Sequence, residues 1–510
     1  MTADPKVLLV YPQYPVTFWS FTHVLKFISK KAAFPPLGLL TVAALLPPSW
    51  EKKLVDMNVT PLNDSDIAWA DYVFIGAMIV QKDSVRPIIA RCRELGKKVV
   101  AGGPLFTTGH DQFEGVDHFV LGEAEITLPR FLEDLEKGEA APLYASQERP
   151  DINKTPVPQW DLIRMKDYAF MAVQYSRGCP FNCEFCDITL MNGRVPRTKA
   201  PLQTMTELDA LYERGWRGQV FIVDDNFIGK KKEVRVLLSE LKKWMQERKN
   251  PFTFLAEASI DLADDDELMK TMAEANFQRV FVGLETPVEE SLHECCKFQN
   301  KGRDLVSIVK KIQNHGMEVL GGFIVGFDND PPSVFERQIS FIQKSGVVTA
   351  MVGILTALPG TILHSRLLKE NRLLKGSSGD NVDGTLNFIP QMSKGSLIEG
   401  YLKILRTIYS PKEYYERILT FLKEYRPAQL PRVQWVELKA LVKSFWYIGV
   451  VGNSRKYYWK LIAWSLLRRP KLFPKAVTLA ICGFHLQKIA DDLLSRVSLR
   501  KSCEDLPLNS

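Results

Sequence analysis

From Lys6 onward, short apolar runs alternate with longer amphipathic stretches. KVLLVYP (6–12), KKLVDMN (52–58), DYVFIGAMIV (71–80) and KKVVAGGP (97–104) are brief and bounded by turn residues. SVRPIIARCRELG (84–96) and EAEITLPRFLEDLEKG (123–138) instead repeat their apolar positions every three to four residues. Short β-rich runs separated by helical spacing read as βαβ units, so residues 1 to 140 predict a doubly wound parallel sheet in an α/β fold. In such sheets a ligand sits beyond the carboxyl ends of the strands. The strand-to-loop joins carry Asp56 to Asn58, Gly76 to Met78, Gly102-Gly103-Pro104 and Gly122-Glu123. Any one of these glycines serves a tight turn equally well. Their shared place at strand ends is what points to a ligand crevice.

A proline-rich connection, ERPDINKTPVPQWDLI (148–163), leads into a second series. FMAVQYS (170–176), GQVFIVD (218–224), FTFLAEAS (252–259), RVFVGLE (279–285), VLGGFIVGF (319–327) and TAMVGILTAL (349–358) read as six strands. Helical patterns lie between them, clearest at 231–249 and 302–316, the latter stopped by Gly316. Six βα units in series predict a parallel (β/α)6 partial barrel with its chemistry at the carboxyl ends of the strands. The expected division is 1–147 for the first sheet, 148–168 for the linker, 169–375 for the barrel and 376–510 for a mostly helical extension.

Length and composition agree with this division, since 510 residues at 46% hydrophobic suit two or three domains with real cores. The eight cysteines form no evenly spaced framework, the N-terminus lacks signal-peptide features, and no apolar run reaches the length of a membrane span. A reducing, cytoplasmic setting is expected. The net charge of +7 is uneven: residues 431–500 hold thirteen Lys and Arg against Glu437, Asp491 and Asp492.

The chemistry concentrates in RGCPFNCEFC (177–186), where Cys179, Cys183 and Cys186 follow the first barrel strand. A structural zinc site needs four ligands, and no histidine occurs between His118 and His293. Three thiols at C-x3-C-x2-C spacing better suit a four-iron cluster with one iron left open. Zinc and inert packed thiols are the alternatives.

A C-x3-C-x2-C loop after the first strand of a six-stranded partial barrel resembles the radical S-adenosylmethionine (SAM) superfamily. The resemblance implies a 4Fe-4S cluster on the three cysteines, SAM chelating the open iron, and Phe185 near the adenine. It also implies an electron donor such as flavodoxin or ferredoxin. VDDNF (223–227) lies where the family often carries a Gly-Gly-Glu turn, which makes Asp225 and Asn226 candidate SAM contacts despite the missing glycines. Glu257 in EAS (257–259) is a further candidate, because an acid in an apolar strand is costly unless it is paired. Gly283 and Glu285 in GLETP (283–287) join the set. A doubly wound domain placed before such a barrel resembles the cobalamin-binding radical SAM class. That likeness offers Asp56, Asn58, Gly102, Gly103, Gly122 and Glu123 as cobalamin contacts. The Asp-x-His-x-x-Gly loop of histidine-ligated cobalamin domains is replaced here by Asp56-Met57-Asn58-Val59-Thr60-Pro61, so a protein histidine is not expected beneath the cobalt. The resemblance covers residues 5 to 365 and implies methyl transfer to an unreactive carbon.

The tail interleaves aromatics with Lys and Arg, and in a helical frame Tyr457, Leu461 and Trp464 share one face while Lys456, Lys460 and Arg468 flank it. Such a helix suits a lipid headgroup layer, or packs on the barrel as an ordinary amphipathic helix. The extension resembles that of the hopanoid C-2 methylases, which implies an apolar or lipid substrate and peripheral contact at the inner membrane face. Nucleic acid is not expected, as no RNA-binding module accompanies the tail. A radical cyclase or carbon-carbon coupling enzyme, and a non-catalytic iron-sulfur redox or iron sensor, are the competing readings. A methylthiotransferase would carry a second cysteine trio in the N-terminal domain, where only Cys92 occurs.

Overall fold

The computed structural model describes residues 4–374, 378–380, 383–429 and 435–504, with side chains omitted at 435, 436 and 497–504. Two compact units emerge. One comprises Met1–Pro15, Lys31–Pro180 and Asp187–Phe252, and the other Val16–Lys30, Phe181–Cys186 and Thr253–Ser510.

The first unit holds a six-stranded sheet of β1 (Lys6–Tyr11), β2 (Glu51–Asp56), β3 (Tyr72–Gly76), β4 (Lys98–Gly102), β5 (His118–Val120) and β6 (Leu143–Tyr144). Its strand order is β2-β1-β3-β4-β5-β6 and every pairing is parallel. Side chains alternate across a strand, and β1 uses both faces. Leu8 and Val10 join a core with Val73, Ile75 and Ile88, whereas Val7 and Leu9 join a second core with Phe74, Leu39 and Phe131. Burial on both faces is why these strands read as continuous apolar runs. The order reverses between β1 and β3, which places the switch-point crevice there.

The same unit carries β7 (Phe170–Val173), then β8 (Ser176–Arg177) antiparallel to β9 (Arg197–Thr198), then β10 (Gln219–Ile222), which pairs parallel with β7. The second unit contains β11 (Thr253–Glu257), β12 (Phe277–Glu285), β13 (Glu318–Val325) and β14 (Ala350–Ile354), each parallel to the next. The predicted helices form at Lys231–Glu247 and Leu305–Asn314. The N-terminal parallel sheet, the six parallel central strands and a largely helical C-terminal extension are the fold expected from the pattern.

Within the extension, the helix Arg455–Arg468 takes one of its two expected orientations. Leu461 is buried and Tyr457 and Trp464 are half-buried, so this face packs inward as that of an ordinary amphipathic helix. A regular apolar stripe most often marks the side of a helix that joins a core, and it does so here. Among the described residues, no helix is long and apolar enough to cross a membrane.

Candidate active site

In the first unit a cavity of about 420 Å³ opens at the carboxyl ends of β1, β3, β4 and β5. Leu37, Leu39, Val42 and Leu128 supply apolar wall, and Gly102, Gly103, Gly122 and Glu123 supply the rim. Gly103 has φ of 90°, and a Cβ there would stand 3.1 Å from the Ala77 carbonyl oxygen. A side chain on Gly102 would meet the Val120 carbonyl at 2.7 Å. Both positions therefore keep backbone exposed at the cavity edge.

Charge gathers on one side of this cavity. Glu123 pairs with Arg177 at 2.7 Å and Arg197 at 2.8 Å, and Glu125 pairs with Arg177 at 2.8 Å while accepting from Thr155 Oγ1 at 2.7 Å. Burial opposes ionisation of Glu125, but the Arg177 hydrogen bond and charge hold its carboxyl below the ordinary range. Lys199 and Glu207, both buried, form a further ion pair on the lining. Asp56 and Asn58 are not on the lining. Asp56 accepts from the Tyr168 hydroxyl at 3.0 Å and from Asn58 Nδ2 at 2.8 Å, and Asn58 Nδ2 also lies 3.2 Å from the Pro12 carbonyl. Their strand, β2, lies at the sheet edge, on the far side of β1 from the switch point.

The turn that starts the cysteine loop is also built in this unit. Gly178 has φ of 101°, and a Cβ there would press on the Gly193 carbonyl oxygen at 2.9 Å. Asp225 Oδ2 accepts from Gly178 N at 2.7 Å and from Asn192 Nδ2 at 2.9 Å, while Cys179 N donates to the Gly193 carbonyl at 3.2 Å. Asp224 accepts from Tyr175 N and Ser176 Oγ, both at 2.7 Å. Burial pushes the Asp224 carboxyl up to about 7 and raises that of Asp225 as well. Asn226 is buried in the same turn, its carbonyl accepting from Gly229 N at 2.9 Å.

The second unit holds Cys183 and Cys186 together with the segment after β12. Glu184 N donates to the Cys295 carbonyl at 3.0 Å, and Gln299 Nε2 lies 4.0 Å from Cys183 Sγ. Lys297 Nζ sits 2.8 Å from Glu285 Oε1. Burial opposes the Lys297 charge, yet Glu285 and then the Cys183 and Cys186 thiols raise its pKa above the ordinary lysine range. Glu285 is the last residue of β12, with φ of 60° and its carbonyl accepting from Gln338 Nε2 at 3.1 Å. A Cβ at Gly283 would meet the ends of the Glu285 and Lys297 side chains, the latter at 2.8 Å, and would displace them. Phe185 stacks at a tilt against Phe327, 6.2 Å between centroids, and Glu257 ends β11 half-buried. Arg366 anchors the loop from outside through Glu184 at 2.6 Å.

Among the described residues, no three His, Cys, Asp or Glu side chains converge as a ready metal-binding group. The donor set nonetheless fits a cluster by its chemistry: none of the three loop cysteines is in a disulfide, and the buried Lys297 cation lies within electrostatic reach of Cys183 and Cys186, which suits an anionic thiolate cluster. The cavity fits a cofactor held by backbone and apolar contacts, with no histidine on its lining. Sequence patterns did not single out Arg177, Lys297, Gln299 or Arg366. The only local trace of Lys297 is its position in CCKFQN (295–300), directly after the adjacent cysteines.

Residues 173–342 match the radical SAM superfamily, and residues 361–498 match a domain of unknown function, DUF4070. An uncharacterized methyltransferase of Synechocystis sp. is 44% identical over 489 residues, spanning 94% of this chain and 91% of that protein. Hopanoid C-2 methylase of Rhodopseudomonas palustris is 32% identical over 477 residues, spanning 91% of this chain and 90% of the relative. A solved structure of the cobalamin-dependent S-adenosylmethionine radical enzyme OxsB, with aqua-cobalamin bound, has the same fold, with a TM-score of 0.62 at 17% identity. That alignment covers 96% of this chain and 84% of the other.

Proposed function

Because this chain belongs to the radical SAM superfamily, in the family of those two methyltransferases, we propose that it is a cobalamin-dependent enzyme that methylates an unactivated carbon of an apolar, hopanoid-like lipid. One observation carries the reading: the likeness to hopanoid C-2 methylase spans 91% of the chain, so it takes in the cavity-bearing sheet, the cysteine loop and the helical extension together.

Cys179, Cys183 and Cys186 would hold the cluster, and Gly102, Gly103 and Gly122 would border the corrin. When bound, these groups supply reductive SAM cleavage and a transferable methyl group. In the net reaction one substrate C–H becomes C–CH3 as two SAM molecules and two electrons are consumed. The products are methionine, 5′-deoxyadenosine carrying the substrate hydrogen, and S-adenosylhomocysteine. The chain's own residues align and shield. Lys297 keeps positive charge beside two of the thiols, Asp225 fixes the Gly178 turn, and Phe185 offers an aromatic face to the adenine. Asn226, Glu257, Gly283 and Glu285 complete the set of SAM contacts in this reading. The electrons come from a donor such as flavodoxin or ferredoxin, and the enzyme works in the cytoplasm at the inner face of the membrane.

The test is anaerobic reconstitution with iron, sulfide and cobalamin, followed by mass spectrometry of a lipid extract incubated with deuterated-methyl SAM. Label in a lipid supports the reading. Formation of 5′-deoxyadenosine without label, persisting when cobalamin is left out, would replace it with radical cyclisation or coupling. A cluster that never cleaves SAM would replace it with a sensor. Cys183→Ala abolishes both products.

A further inference from the structure

Between Leu438 and Ala490 the chain contains no Asp or Glu, and this stretch carries large apolar side chains in solvent. Leu438, Val442, Trp446 and Val450 recur every four residues along the helix Trp435–Ser444 and the π-helical turn Phe445–Val450 that continues it. Val442 is 63% exposed and Trp446 60%. The following helix, Arg455–Arg468, turns Trp459, Leu466 and Leu467 outward, Leu467 at 82%. Contact between the two elements is direct: Trp459 Nε1 donates to the Gly449 carbonyl at 2.9 Å, and its ring stacks on Phe445 at 5.5 Å. Arg455, Lys456 and Lys460 share the outward face with Trp459, and all three are exposed.

We propose that this surface docks on the headgroup layer of an anionic bilayer. Apolar side chains left in water cost free energy, and isolated ones are ordinary, but a run along two touching helices marks an interaction surface. The charge selects the occupant. Cations with no interspersed acid complement a negative lipid surface, and Trp and Tyr side chains suit the headgroup boundary, where an apolar body and a polar tip are both satisfied. A self-complementary interface between two copies would set cation against cation across this face. No described helix is long and apolar enough to span a membrane, so the mode is lying on the surface. The proposal deepens the reading above, on which it rests for the source of an apolar substrate, while its observations lie wholly in the outward face of these helices.

The full-length protein is sedimented with vesicles of phosphatidylcholine mixed with phosphatidylglycerol, and with vesicles of phosphatidylcholine alone. Binding to the mixed vesicles is expected, weakening as salt rises. It is expected to fall at least tenfold in L466S/L467S and in K456Q/K460Q, with the circular dichroism spectrum unchanged. The proposal is overturned if the wild type ignores anionic vesicles or if both variants bind as before. It is equally overturned if light scattering finds a dimer that L466S/L467S dissolves without any vesicle binding. Methylation of detergent-solubilised lipid is read separately. Its loss with vesicle binding intact removes the catalytic reading alone, and its persistence without vesicle binding removes the docking face alone.

Discussion

Lys297 Nζ lies 2.8 Å from Glu285 Oε1, with both side chains largely buried and Cys183 and Cys186 within reach of the lysine's charge. A buried pair of this kind contributes little by itself, but breaking it strands one charge. Lys297→Met leaves the Glu285 carboxylate without its cation and is expected to cost about 3 to 5 kcal/mol in anaerobic guanidinium denaturation. The double variant E285Q/K297M recovers most of that loss. Gly283→Ala is expected to cost less than the single variant, because its methyl group only displaces the ends of the Glu285 and Lys297 side chains and strands no charge.

The cavity in the first unit makes a separate prediction. Gly103→Val forces a β-branched residue into φ of 90° and against the Ala77 carbonyl. Cobalamin retained after reconstitution, read from its visible absorbance, is expected to fall about tenfold, equivalent to about 1.4 kcal/mol of binding. Iron content should be unchanged.

Gly178 tests the loop in the opposite sense. Gly178→Ala pays for a left-handed backbone with a contact of 2.9 Å to the Gly193 carbonyl. A strained residue of this kind costs about 1 to 3 kcal/mol. Iron bound per chain is expected to drop while cobalamin absorbance persists.

A pH dependence follows from His485, whose Nε2 lies 3.2 Å from the Phe18 carbonyl oxygen. Burial lowers its pKa from 6.5 to about 4, so the folded protein keeps the ring neutral where the unfolded chain takes up a proton. Stability is therefore full above the unfolded value and is lost as pH falls from 6.5 toward 4, at about 1.4 kcal/mol per unit within that window. The neighbouring His23, 5.4 Å away between ring centroids, is lowered by burial and by Lys488 and steepens the slope. Denaturation midpoints taken across that window should fall in the wild type and change less in His485→Phe.

The strands were legible because a strand buried on both faces leaves a short, nearly unbroken apolar run, and the cysteine loop because three thiols in eight residues have few other uses. Lys297 was not legible, since its role depends on the chain returning to β12 and the cysteine loop, a relationship no local pattern encodes. Asp56 and Asn58 sit at a strand end as expected, one strand over from the cavity lining at Tyr11, a spacing that depends on strand order and that periodicity does not report. In the tail the helix was correctly placed, and of its two expected orientations the packed one is found. Tyr457, Leu461 and Trp464 have the regular spacing that a core demands, whereas Trp459, Leu466 and Leu467 became visible only through exposure.

The π-helical turn Phe445–Val450 amounts to one residue inserted into a helix. Deleting a single residue there would let it close to an ordinary turn and move each residue of the segment one place along the helix. Trp459 would then no longer find the Gly449 carbonyl in its present place, so a deletion within 445–450 tests the geometry of this surface while leaving its composition nearly unchanged.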